Sequence, residues 1–178
     1  PGAISGWRSA TPGRAGSSRM GAAGLLSSRA ASLSTCAHCR ALATLGRASE
    51  STIGDALDHD DTSRGRLEAD TALAARADAA AKRAAFAAVT AQPAPSNERA
   101  GAIARGWGRV LAPALVAEDA APDLELLDEV WRTRSFAIAK IIVRDLFPSA
   151  VVTPENSALV HAWLERGEHA PALRRLVV

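Results

Sequence analysis

The chain has no tyrosine, one methionine (Met20), two cysteines and an aromatic share of 4% in 178 residues. Two cysteines, Cys36 and Cys39, do not make a disulfide framework. No apolar run approaches the roughly 18 residues of a membrane span. The N-terminus also lacks the continuous apolar stretch of a secretory signal. These absences predict a soluble, cytoplasmic protein with no membrane partner. Acids are missing too: residues 1–49 hold six arginines (Arg8, Arg14, Arg19, Arg29, Arg40, Arg47), and the first acid is Glu50. The rest of the chain carries 15 basic and 19 acidic residues, a net of −4, against +2 for the whole. The basic isoelectric point therefore belongs to the tail. It gives no reason to expect a nucleic-acid surface on the body.

What is present is alanine. Apolar residues make up 48% of the chain, and much of that share is the residue that loses no side-chain entropy in a helix. Strands favour valine, isoleucine and aromatics, and no segment alternates with period two for long. The fold class expected is all-α, an irregular stack of short helical hairpins without a fixed-period repeat. Residues 1–34, rich in Ser, Gly, Arg and Ala, are expected to be a disordered tail. An organelle transit peptide and the product of a shifted reading frame are other readings of it. The chain opens on Pro1 rather than methionine and is expected to be a fragment.

From residue 35 the helix signals are local. Cys36 to Leu45 is closed by Gly46. Ser49 or Ser51 caps a short helix carrying Ile53 and Leu57. Asp61, Thr62 or Ser63 caps an alanine-rich helix reaching about Ala77. Asp78 starts the next, through Lys82, Phe86 and Val89, and Pro93 and Pro95 end it. After a cap at Ser96 or Asn97, the residues Ile103, Trp107, Val110 and Leu111 share one helical face. The strongest pattern, Asp123 to Phe147, reads as one helix stopped by Pro148. Its second half is apolar on nearly every side except for a stripe of Thr133, Lys140 and Arg144. It is therefore placed at the centre of the stack, with Phe136 and Phe147 buried. Thr153 and Pro154 open a helix with Leu159, Val160, Trp163 and Leu164, which Gly167 breaks. A last helix runs from Pro171 through Leu173 and Leu176.

Chemistry-bearing motifs are sparse. Cys36, His38 and Cys39 form a tight cluster, but structural zinc needs four ligands, and His59 is a fourth only by assertion. Ordinary helix residues are the preferred reading, and a CxxC redox role lacks its βαβ context. His161 and Glu165 lie four apart on one helix, with His169 beyond. This is not the H-E-x-x-H of a zinc peptidase, and a surface pair is expected. Asp58, Asp60 and Asp61 lack the spacing of a calcium loop and read as helix capping. Arg174 and Arg175 read as a solvated face. No catalytic, cofactor-binding or metal residue is assigned.

Several segments together resemble the C-terminal helical region of actinobacterial-type aminopeptidase N, a zinc metallopeptidase family. They are Leu42 to Arg47 (LATLGR), Asp60 to Arg66 (DDTSRGR), Ala80 to Phe86 (AAKRAAF), Glu129 to Arg134 (EVWRTR), Ile142 to Pro148 (IVRDLFP) and Ala172 to Val177 (ALRRLV). The resemblance spans about residues 40–178; residues 1–35 depart from it. It implies that residues 35–178 form a HEAT-like domain that closes the peptide chamber of a parent enzyme. That parent uses zinc to remove N-terminal residues from peptides. It implies as partners the parent's catalytic domain and, through it, peptide substrates. The family's zinc helix and its Gly-Ala-Met-Glu-Asn loop are missing, so no catalytic residue carries over and no cofactor is expected in this segment. Two rivals are a free-standing helical scaffold for a protein partner and an RNA-binding protein using the Arg-rich tail.

Overall fold

The computed structural model describes residues 38–116, 120–146 and 153–177, with the backbone alone described at 120–123. Among these residues the structure is all-α. Its helices are α1 (38–44), α2 (Glu50–His59), α3 (Ser63–Ala75), α4 (Ala79–Thr90), α5 (Asn97–Trp107), α6 (Ala120–Thr133), α7 (Phe136–Asp145), α8 (Pro154–Arg166) and α9 (Pro171–Val177), with a 3-10 turn at Pro113–Leu115. The readings that rest on residues 1–34, Cys36, Phe147 and Pro148 lie outside the described residues.

Local chemistry sets most of the boundaries. Gly46 adopts φ +70°, a left-handed conformation that glycine enters without a Cβ penalty. Its N–H donates to the Ala43 carbonyl (3.0 Å) and the Arg47 N–H to the Leu42 carbonyl (2.7 Å). This is the paired Schellman closure of α1. Ser49, Thr62, Asp78, Ser96 and Thr153 each accept a backbone N–H of the helix that follows, satisfying donors that the first turn leaves without partners.

The helices pack as a sequential stack. α2 lies on α3, α3 on α4 and α5, α5 on α7, and α6 on α7 and α8, while α9 returns to α7. Three apolar clusters follow this order. The first joins Cys39, Ala43, Ile53, Ala69 and Ala72 between α1, α2 and α3. The second, the main core, gathers Ala85, Val89, Ile103, Trp107, Val130, Ile138, Ile142 and Leu146. The third holds Leu124, Leu127, Val143, Trp163 and Leu173. Alanine dominates the first two on the α3 side, which lets helix axes approach closely.

Three expectations are corrected. The segment 123–147 is not one helix. It breaks between Thr133 and Phe136, where Ser135 caps α7 by accepting the Ile138 N–H (3.4 Å). The break lets α6 and α7 pack on each other, and both helices supply the main core (Val130 with Ile138 and Ile142) and the third cluster (Leu124 and Leu127 with Val143). Arg134, at the break, donates to the carbonyls of Thr90 and Ala91 and closes the end of α4. Likewise α5 stops at Trp107, so Val110 and Leu111 leave its face and Leu111 is 65% exposed. A continuing helix would pass the Arg109 carbonyl to the N–H of residue 113, and Pro113 has none.

Helix α7 is central, with Ile138, Ala139, Ile142 and Val143 buried, but Phe136 is not part of its core. It begins the helix, 67% exposed, with its ring edge-on to Trp131 at 5.7 Å between centroids and 76° between planes. Such a pair is worth about 0.5–1.5 kcal/mol, so Phe136→Ala is expected to cost no more than that. Ile142→Ala, which empties a buried site, is expected to cost roughly 2–5 kcal/mol. Thermal melts of the two variants check this, and equal losses would return Phe136 to the core.

Candidate functional site

The residues singled out by sequence do not converge. Cys39 is buried among Ile53, Ala56, Leu57 and Ala69. His59 stands exposed at the end of α2, its Nδ1 hydrogen-bonded to the Asp55 carbonyl at 2.6 Å. Asp60 accepts the Thr62 hydroxyl (2.9 Å) and Asp61 pairs with Arg66 (2.7 Å), so both serve the α2–α3 turn. His161 and Glu165 lie exposed on α8. Arg174 and Arg175 donate to the carbonyls of Leu164 and Pro171. Among the described residues, no group of three or more His, Cys, Asp or Glu could hold a metal ion.

The structure instead withdraws three other polar groups from water. The first is Lys82, wholly buried in α4. Its Nζ donates to four backbone carbonyls: Ala74 (2.9 Å), Gly106 (3.2 Å), Trp107 (2.9 Å) and Arg109 (3.0 Å). Three N–H bonds serve four acceptors, so one hydrogen is shared. These carbonyls sit in the last turns of α3 and α5 and just beyond, where the helix dipoles are negative and carbonyls lack intrahelical partners. Lys82 thus closes two helices at once. Burial pushes its ammonium down from the ordinary 10.5 to about 8, so it stays charged at neutral pH.

The second is the ion pair of Arg99 with Asp70, joining α5 to α3 through Nε (3.0 Å) and Nη2 (3.2 Å). Burial pushes the Asp70 carboxyl up, against the opposing pull of the Arg99 hydrogen bond and charge. Arg99 also edges a groove of about 290 Å³ between α4 and α5, lined by Ala84, Ala87, Ala88, Ala91 and Ile103.

The third is His169, in the α8–α9 connection. Its ring stacks on Trp163 at 3.7 Å and 19°. Nδ1 faces both oxygens of Asp128 (2.8 and 2.9 Å), and Nε2 faces the Trp163 carbonyl (2.7 Å). The sequence placed His169 beside a surface pair; the fold places it between α6 and α8.

Two of these groups are engaged wholly inside the fold. The Lys82 amine is enclosed by carbonyls, and both His169 nitrogens are engaged inside the fold. The signal for Lys82 was present in the sequence. The chain has only two lysines against 19 arginines, and position 82 shares a helix face with Ala85 and Val89. His169 left no such trace, since Asp128 lies 41 residues away.

Among the described residues, no helix is long and apolar enough to cross a membrane. No family model matches the chain. The chain is similar to an aminopeptidase N of Streptomyces lividans, 33% identical over 141 residues, a stretch that covers 79% of this chain and spans 16% of that protein.

Proposed function

We propose that this chain is an accessory, non-catalytic helical part of an aminopeptidase N, a HEAT-like array that closes the peptide chamber of the parent enzyme. The observation that carries the reading is the 33% identity over 141 residues to a protein of that name. Its setting is an all-α stack whose buried polar groups are spent on holding helices together. In this reading the parent releases N-terminal residues from peptides in the cytoplasm, and its catalytic domain is the partner of this segment. In this reading the zinc of the proposed parent is held by that catalytic domain.

The purified chain is expected to show no turnover of aminoacyl anilides with or without added zinc. The Streptomyces lividans enzyme with its matching segment replaced by this chain is expected to keep hydrolysing peptides, whereas the enzyme lacking the segment is expected to lose control over peptide length. Chelator-sensitive turnover by the chain alone would overturn the reading. So would a folded chimera that behaves like the truncated enzyme.

A further inference from the structure

The groove between α4 and α5 holds about 290 Å³, and its lining is apolar except at Arg99. Alanines of α4 form one wall. Pro93 and Pro95 line it too, with φ fixed by their rings, so that part of the wall is preformed. Ala91, another lining residue, marks where the groove meets the break between α6 and α7. Its carbonyl accepts from Arg134 Nη1 (2.9 Å), and Phe136 stands two residues further on. Phe136 is 67% exposed and packs edge-on against Trp131. Of the large apolar side chains exposed among the described residues, it is the only aromatic. An apolar groove that leads to a bare aromatic ring has the make-up of an interface centre rather than of a solvated face.

The charge around this surface has the opposite sign to that of the body. Arg83 (next to Ala84 in α4), Arg132 (next to Trp131 in α6) and Lys140 (one turn after Phe136 in α7) form no ion pair among the described residues. Arg134 is spent on backbone carbonyls, which leave its charge uncompensated. Arg99 is neutralised by Asp70. The acids that remain nearby are Glu98, beside Arg99, and Glu129, on α6 before Arg132; both are exposed. Four uncompensated cations thus stand against two acids, on a body whose net charge is −4.

We propose that the α4–α5 groove and the Trp131–Phe136 pair form one docking surface for an apolar segment bearing carboxylates, supplied by the part of the parent protein outside this chain. The proposal rests on the reading of the chain as part of an aminopeptidase N. The Streptomyces lividans protein of that name extends well beyond the 16% of its length that the chain matches. Phe136 is the anchor, because its exposed ring gains most from leaving water. Arg83, Arg132, Arg134 and Lys140 select the acidic partner by charge, an effect that serves specificity more than affinity.

Hydroxyl-radical footprinting reads the native ring, because trypsin cuts after Arg134 and Lys140 and isolates Phe136 in the peptide 135–140. In the Streptomyces lividans enzyme that carries this chain in place of its own segment, oxidation of that peptide is expected to fall about tenfold from the free chain. The peptide 41–47, which holds the exposed Leu42 and Leu45, is the reference and is expected to change by less than about twofold. Arg83→Glu together with Arg132→Glu leaves both cutting sites intact. In the chimera this pair is expected to return Phe136 oxidation to within about twofold of the free-chain level. Protection that survives both substitutions overturns the acidic partner. Equal oxidation of Phe136 in the free chain and in a chimera that still hydrolyses peptides overturns the docking surface and leaves the parent reading standing. Protection present in the free chain and rising with its concentration makes a second copy the occupant and overturns the proposal as well. If the chimera does not hydrolyse peptides, the free chain is mixed with the enzyme lacking its segment, and an absence of protection there overturns both readings.

Discussion

Lys82→Met is expected to remove most of the stability of the body. The substitution keeps the length of the stem but leaves the carbonyls of Ala74, Gly106, Trp107 and Arg109 without their shared donor. Each buried acceptor left unsatisfied costs about 1–3 kcal/mol. Relief of the buried charge offsets part of the sum, and a net loss of roughly 3–5 kcal/mol follows, the range for breaking a buried charged contact. A domain of this size holds only about 5–15 kcal/mol. Lys82→Arg offers no rescue, because a planar fork cannot point at four carbonyls gathered around one nitrogen. Urea unfolding of Lys82→Met against Lys140→Met, a half-buried lysine on α7, measures the difference. Comparable midpoints for the two would show that the carbonyl cage contributes nothing.

The same residue gives the parent a pH dependence of definite sign. Burial lowers the Lys82 ammonium from 10.5 to about 8 in the folded chain. Between these values the unfolded chain binds more protons than the folded one, so stability rises with pH across that window. The penalty for the buried charge is fully present below about pH 8 and is relieved toward pH 10.5. At about 1.4 kcal/mol for each pH unit of difference, the rise is of order 3 kcal/mol. It is read as the parent's unfolding free energy minus that of Lys82→Met. A difference that falls over this range would reverse the assignment.

Gly106→Ala is expected to separate α3 from α5. A Cβ at Gly106 would overlap the Thr71 carbonyl oxygen and stand 2.8 Å from the Ala74 Cβ. Both neighbours are rigid, one being backbone and the other the stub of an alanine, so the helices themselves must move apart. That movement breaks the Thr71 hydroxyl bond to the Ala102 carbonyl (3.0 Å) and pulls the Gly106 carbonyl from Lys82. Alanine gains up to about 1 kcal/mol in helix propensity, and overpacking a tight contact costs about 1–3 kcal/mol or more. The net expected loss is roughly 3 kcal/mol, since two long-range bonds go with it. Gly54→Ala is the control. No atom lies within 4 Å of its would-be Cβ in α2, so propensity acts alone and a gain of up to about 1 kcal/mol is expected. Opposite signs in the two melts support the close approach; a Gly106→Ala variant as stable as Gly54→Ala would rule it out.

The amino-acid sequence by itself determined the fold class and most helix ends. The reason is that caps act over three or four residues. Ser49, Thr62, Asp78, Ser96 and Thr153 each satisfy a backbone N–H of their own first turn, and Gly46 closes α1 through its own φ. Such signals survive without knowledge of neighbours. The break at Ser135 was harder to read, because apolar residues continue through it and a serine cap competes with that pattern. The side on which Phe136 falls was not legible at all, since a first-turn residue faces core or solvent according to how its helix docks.

Only the tertiary structure decided which polar groups matter. Lys82 meets carbonyls 8 to 27 residues away, and His169 meets Asp128 across 41. Arg134 closes a helix that ended 44 residues earlier. The lysine on an apolar face is visible locally, but nothing local names the partners in these meetings, because each exists only after three helices have packed. Glycine at position 106 lies near the end of α5, where helix propensity alone would make it a weak point. In the fold it is the place where two backbones touch, because any Cβ there would collide with the Thr71 carbonyl.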